Sequence, residues 1–308
     1  MRQDIYYLKM PKNPQISVVI ACVNGLPYID ECLSALERQE GNIDAEIIVL
    51  NCCKDGVSEH IRKKFPRVKL FEFCERLSIP ELRYIGISRS TGDIITITED
   101  HCNAKEDWFV EILKAHESDY TAVGGTVING CVDRIMDWTV YLLEYASTMP
   151  PIPSGEVDGV AGNNASYKRW IFDKVDESIK KDYWEYFLHG AMKKAGARFL
   201  SVPSIIVYHK RDFGFLYFLF QRFHYSRSFA GMRIIGIPFS KRIFYILSSP
   251  LLPFLILWRT FQQVVRKKRH VKEFLLSLPL LMIFMLSYAF GECIGYLFGP
   301  GDSLVKVE

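Results

Sequence analysis

The sequence predicts an open α/β domain built on a mostly parallel sheet, followed from about residue 210 by helices that seek a membrane. Three observations carry this reading. β-Branched runs alternate with helical stretches over the first hundred residues, one run stops abruptly on Glu99, Asp100 and His101, and the longest apolar runs of the 308-residue chain come late. Strands that alternate with helices are joined by right-handed crossovers and therefore run parallel.

The first predicted strand is ISVVIAC at 16–22, a continuous apolar run of the kind covered on both faces. LPYIDECLSALERQ follows, with Ile29, Leu33 and Leu36 on one helical face. EIIVL (46–50), VKLFEF (68–73) and DIITIT (93–98) are the next strands, with helices at 56–65 and 80–90 between them. In such sheets ligands bind beyond the carboxyl ends of the strands. Those ends are Asn24, Asn51 and the cluster from Glu99 to His101. A helix over 133–147 is stopped by MPPIPSG, because proline cannot continue it, and this segment reads as a hinge or lid. GVAGNNASYKRW, a helix at 181–195, a break at Gly196 and two short strands ending at His209 complete the domain.

A net charge of +3 is too balanced for a nucleic-acid partner. The eight cysteines contain no CxxC pair and no zinc spacing, which points to a reducing compartment. The opening MRQDIYYLKMPKNPQ lacks the apolar core of a signal peptide, so the catalytic part is expected on the cytoplasmic face of a membrane.

Strand side chains alternate, which places Glu99 and His101 on one side of the strand end and Asp100 on the other. A carboxylate and an imidazole on one side can share a divalent ion, with Mn favoured over Mg. Asn103 with Glu106 predicts a capping box for the helix that follows.

The run SVVIACVNGLPYIDECLSAL, the strand EIIVLN, the helix ELRYIGISRSTGD before an acidic strand end, GNNASYKR, and the helix followed by Gly196 and His209 together resemble family 2 of the glycosyltransferases, which have the GT-A fold. The resemblance spans residues 16–209. It implies that Glu99, Asp100 and His101 stand where the family carries its DxD motif, with Mn or Mg and the donor diphosphate held there. His209 joins Glu99 and His101 as an implied metal ligand, and Asn24, Asn51, Arg83 and Asp100 fall on the donor side. Asn51 stands where the family usually has an aspartate against the base; a turn former is the equal alternative. Gly162 and Asn164 in GNNASYKR correspond to the acceptor-side loop. Glu185 takes the place of the catalytic base, with Asp182 as its substitute, and the aromatic WEYF around it predicts an apolar pocket.

The tail reads as two further units. In residues 211–242, FLFQRFHYSRSFAGMR interleaves aromatics with Arg222, Arg227 and Arg233, a pattern suited to lipid headgroups. In residues 243–308, the run from Ile243 to Trp258 is split by Pro250 and Pro253 and falls short of the roughly 20 residues that span a bilayer, so it reads as interfacial or re-entrant. Phe274 to Phe298 is long enough to span, and Arg266, Lys267, Lys268 and Arg269 suit an anionic surface. The resulting expectation is a GT-A domain at 1–210 that transfers a sugar, with inversion, from a nucleotide sugar, UDP-linked by preference, to a lipid or lipid-linked acceptor. The rivals are an enzyme for a growing surface polysaccharide and a degenerate nucleotide-sugar-binding membrane scaffold.

Overall fold

The structure, a computed structural model, describes residues 14–307 apart from Asp55. Most of the N-terminal stretch read for a signal peptide therefore lies outside the described residues. Strands β1 (Ile16–Cys22), β2 (Ala45–Asn51), β3 (Lys69–Glu72) and β4 (Ile94–Glu99) alternate with helices α1 (Tyr28–Glu37), α2 (Val57–Lys64) and α3 (Ile79–Arg89). β5 (Cys102–Ala104), α4 (Trp108–His116), β6 (Ala122–Asn129), α5 (Ile135–Tyr145), β7 (Gly155–Val157) and β8 (Asn164–Lys168) follow, then α6 (Glu177–Asp182), α7 (Glu185–Lys194) and β9 (Phe199–His209). The tail forms α8 (Phe215–Arg233), α9 (Phe239–Ser248), α10 (Leu252–Lys267) and α11 (Val271–Phe298).

One sheet runs in the order β3-β2-β1-β4-β8-β6-β9-β5, with β7 on β9. The strands up to β4 pair in parallel, as the alternation predicts, whereas β8 enters antiparallel between β4 and β6. Successive residues of β1 feed opposite faces. Val18 and Ile20 pack with Leu33 of α1 and Trp108 of α4, while Val19 and Ala21 pack with Leu82 of α3 and Met192 of α7. At the lower edge Glu46 accepts hydrogen bonds from Ser17 Oγ at 2.5 Å, Thr91 Oγ1 at 2.9 Å and Gly92 N at 3.2 Å, and pairs with Lys69. This ties β1, β2, β3 and the entry to β4 together.

Three local expectations are corrected. The two strands expected before His209 are one strand, because a register shift between Gly124 and Thr126 absorbs Pro203, whose carbonyl accepts from Thr126 Oγ1 at 2.9 Å. The helix expected at 181–195 is two, divided where extended Trp184 buries its ring and donates from Nε1 to Ser228 Oγ at 3.0 Å. Asn103 caps no helix, since it lies in β5 and the start of α4 is met by Gln39, whose Oε1 accepts from Phe109 N at 3.0 Å.

The tail packs on the domain along its length. α8 packs along α11, where Gly291 and Gly295 let the two backbones approach: a Cβ on Gly291 would strike Ser226 and Phe223, and one on Gly295 would strike Arg227 O at 2.5 Å. The arginines read as headgroup ligands are used inside. Arg222 pairs with Glu144 at 2.5 Å, Arg233 donates to Tyr296 Oη at 2.6 Å beside Glu292, and Arg227 donates to Gly299 O at 3.3 Å. At the turn after α10, Lys267 Nζ donates to the carbonyls of Ala146, Ser147 and Met149 at 2.9, 2.8 and 2.5 Å, which fastens the basic run to the end of α5.

Two outcomes are expected. Gly295→Val overpacks the α8–α11 contact and should lower stability by about 2 kcal/mol, read as a fall in melting temperature; an unchanged melt would mean that the helices do not touch there. Burial opposes the charge of Glu46, but its hydrogen bonds to Lys69, Ser17 and Thr91 hold the carboxyl down at about 2. Its contribution, on the order of 3 kcal/mol, is then complete above the unfolded carboxylate value and lost as pH falls toward 2. Denaturant titrations of wild type and Glu46→Gln should differ most at neutral pH and converge from about pH 5 downward.

Candidate active site

The site begins where β4 ends. Asp100 is fully buried and accepts from Val23 N at 2.9 Å, Asn24 N at 2.7 Å and Asn24 Nδ2 at 2.6 Å, which fixes the loop after β1 against the loop after β4. The chain then turns into β5, which pairs antiparallel with the end of β9 so that Cys102 faces His209. Lys210 N donates to His101 O at 2.9 Å and closes this corner.

Glu99, His101 and His209 are thereby brought together, each offering one ligand atom within 4.8 Å of the others. His101 Nε2 lies 3.1 Å from His209 Nε2 and 3.3 Å from a Glu99 oxygen, and His101 Nδ1 donates to Asp100 Oδ1 at 3.0 Å. Burial disfavours charge on His101, yet its hydrogen bonds to Asp100 and Glu99 lift it to about 9. Burial and the neighbouring His101 charge push His209 down to about 3. Burial works against ionised Glu99 as well, but His101 and Arg83 hold its carboxyl at about 2. A proton therefore sits among three inward-facing donor atoms. A divalent cation fits the same place, with two imidazole nitrogens and one carboxylate as ligands and Asp100 orienting His101 from behind.

The cluster opens past Glu99 and Glu144 into a cavity of about 530 Å³. Arg83, 5% exposed, stands at its floor, donates to Glu99 Oε1 at 3.2 Å and forms an ion pair with Glu185. Gly162 lies against Glu185, and a Cβ there would push the Glu185 carboxylate aside. The predicted base and the predicted acceptor loop are thus in contact, although Glu185 is met by a guanidinium rather than by the apolar pocket read from WEYF. Asp182 is exposed at the end of α6 and does not line the cavity. Among the described residues that line the cavity, Arg83 Nε and Asn163 Oδ1 are buried without a hydrogen-bond partner.

Two expected residues do other work. Asn51 is buried and turned into its own loop, donating to Cys53 O and Ser58 Oγ at 3.2 and 2.9 Å and accepting from Cys53 N at 3.0 Å, which is the turn-forming alternative. Asn164 donates to Thr126 O and Ile205 O, both at 3.0 Å, and accepts from Trp108 Nε1 at 2.9 Å, so it holds the sheet while its neighbour Asn163 lines the cavity. Sequence reasoning missed Glu144, Arg222, Tyr225 and Tyr288 as cavity walls. Burial raises the Glu144 carboxyl against the opposing charge of Arg222, whose guanidinium lies over Phe218 and Tyr225 at 4.7 and 5.2 Å. A carboxylate inside the apolar stretch TVYLLEYAS was the one available signal.

Known proteins resemble this chain over part of its length. Polypeptide N-acetylgalactosaminyltransferase 10 of Rattus norvegicus is 22% identical over 212 residues, covering 57% of this chain and 34% of that protein. Polypeptide N-acetylgalactosaminyltransferase 4 of Mus musculus is 27% identical over 149 residues, covering 46% of this chain and 25% of that protein. The aligned part is thus about a third or less of these relatives' length. Among solved structures, the mannosyltransferase PcManGT from Pyrobaculum calidifontis, in complex with GDP-Man and Mn2+, superposes with a TM-score of 0.57 at 15% identity, covering 90% of this chain and 88% of that one. GalNAc-T7 with UDP, GalNAc and Mn2+ gives 0.52 at 19% identity, covering 65% and 44%. Both likenesses support the GT-A fold. A match to the family described as glycosyl transferase family 2 over residues 17–176, more than half of the chain, makes this protein a member of that family.

Proposed function

We propose that the protein is a membrane-attached, cation-dependent, inverting glycosyltransferase that moves a sugar from a nucleotide sugar, UDP-linked by preference, to a lipid or lipid-linked acceptor. The observation that carries this reading is the opening of the Glu99, His101 and His209 cluster into the cavity that holds Glu185 and is walled by the tail residues Arg222, Ile256 and Tyr288. Residues 1–210 supply the donor half, and the segments at 211–242 and 243–308 complete the acceptor half and attach it to the cytoplasmic face of a membrane.

The acceptor hydroxyl oxygen attacks the anomeric carbon, the bond from that carbon to the diphosphate oxygen breaks, and Glu185 takes the hydroxyl proton. Arg83 touches both Glu99 and Glu185, so a diphosphate entering beside Glu99 competes for the guanidinium and leaves the Glu185 carboxylate to the acceptor. Asp100 holds His101 in one orientation throughout. A bound Mn or Mg ion supplies charge neutralisation on the leaving diphosphate. The relatives' names favour a second acceptor class, a polypeptide hydroxyl. Release of nucleoside diphosphate from UDP- and GDP-sugars, measured with extracted lipids and with soluble peptides in parallel, separates the two.

Turnover should vanish in EDTA and return with Mn at least as well as with Mg, and Glu99→Ala or His101→Ala should weaken donor binding. Unchanged activity in EDTA and in both variants would remove the cation from the mechanism. Glu185→Gln keeps the shape and loses the proton acceptor, so donor binding should survive while turnover falls on the order of a hundredfold. Near-normal turnover would transfer the role to another carboxylate, Glu144 being the one in the same cavity.

A further inference from the structure

α11 is buried along one stripe for its whole length, through Phe274, Leu281, Met285, Ala289 and Tyr296. Its opposite stripe carries Leu275, Ile283, Leu286, Phe290 and Leu297, all exposed. α10 repeats the pattern, with Thr260 and Val264 inward and Phe254, Leu255, Trp258, Phe261 and Val265 outward. At about 1.5 Å per residue α11 is about 42 Å long, more than the roughly 30 Å of a bilayer core. It still cannot cross one with this packing, since α8 and α5 lie against it and would enter the hydrocarbon with Arg222, Arg227 and Glu144.

The charge around α10 and the turn into α11 is one-sided. Residues 239–272 contain no carboxylate, and Lys241, Arg259, Arg266, Lys268, Arg269 and Lys272 are exposed there. Arg242 and Lys267, the other two cations of the segment, donate to backbone carbonyls. An apolar face on which cations predominate, with Glu273 in the first turn of α11 and Asp302 beyond its end as the carboxylates beside it, complements an anionic lipid leaflet, whereas a second copy of the same face would set cation against cation.

We infer that neither apolar helix spans: α10 and α11 lie in the plane of an anionic leaflet, outer stripes immersed, while Ile256 and Tyr288 on the same two helices wall the catalytic cavity. The inference rests on the membrane reading above and gives it a geometry. The cavity then opens at headgroup depth, and a lipid-borne hydroxyl reaches Glu185 without leaving the bilayer.

The full chain is mixed with phosphatidylcholine vesicles with and without phosphatidylglycerol, in the absence of donor and acceptor. Binding is expected to require phosphatidylglycerol and to weaken about a hundredfold in the triple variant Arg266→Gln, Lys268→Gln, Arg269→Gln, at about fivefold per cation. Depth is read in a Trp258→Phe background with tryptophan placed singly at Leu276, Leu286 and Leu297 and lipids brominated at shallow or deep acyl positions. In-plane helices give the same shallow quenching at all three sites. Deep quenching at Leu286 between shallow ends would overturn the inference and leave membrane attachment standing as a spanning helix. A detergent-free dimer that ignores both vesicle types would overturn the inference and membrane attachment together, with cation-dependent transfer still measurable on a soluble acceptor.

Discussion

The antiparallel pairing of β5 with the end of β9 is the constraint on which the site depends. β4 alone delivers Glu99 at the edge of the crevice, and a strand end with one carboxylate holds nothing firmly. Because Cys102 faces His209 across that pairing, His101 is set beside a residue more than a hundred positions later, and the imidazole nitrogens meet at 3.1 Å. Asp100 then works in both directions: its carboxylate receives the amides of Val23 and Asn24 and also the Nδ1 proton of His101. One buried side chain thereby joins the first strand loop, the fourth and the late strand into a single rigid corner.

Charge is arranged around that corner in alternation. Moving outward come His101, Glu99, Arg83 and Glu185, with Arg222 and Glu144 on the facing wall. Each ion is buried or nearly so and has a partner of opposite sign, which is the condition under which buried charge is tolerated. The alternation also links the cluster to Glu185, since Arg83 pairs with Glu99 and Glu185 at once.

Much of this was legible in the residues. Continuous β-branched runs alternating with helical stretches located β1 to β4 and α1 to α3, and the halt of DIITIT on Glu99 marked the crevice. Pattern failed where one residue's tertiary partner decides the outcome: Trp184 splits a helix because Ser228 receives its indole, and Asn164 leaves the acceptor side because Trp108 and two sheet carbonyls hold its amide. The arginines of α8 were misread for the same reason. Aromatics interleaved with arginine look the same in sequence whether the cations face headgroups or, as here, find Glu144 and Glu292 on neighbouring helices.

That internal use of Arg222 and Arg233 changes what the tail is for. A segment that served only as an anchor would leave the catalytic cavity complete without it, yet Gln221, Arg222, Tyr225, Ile256, Tyr288 and Val307 all contribute to its lining. Gly291 and Gly295 bring α11 close enough to α8 for Tyr288 to face the cavity while Leu286 and Phe290, two positions either side, face outward. On a helix, positions two apart differ by about 200°, so the same turn that lines the cavity must also present the apolar surface. The cavity wall and the exposed apolar surface are therefore two faces of one element, and a substitution that rotates α11 disturbs both.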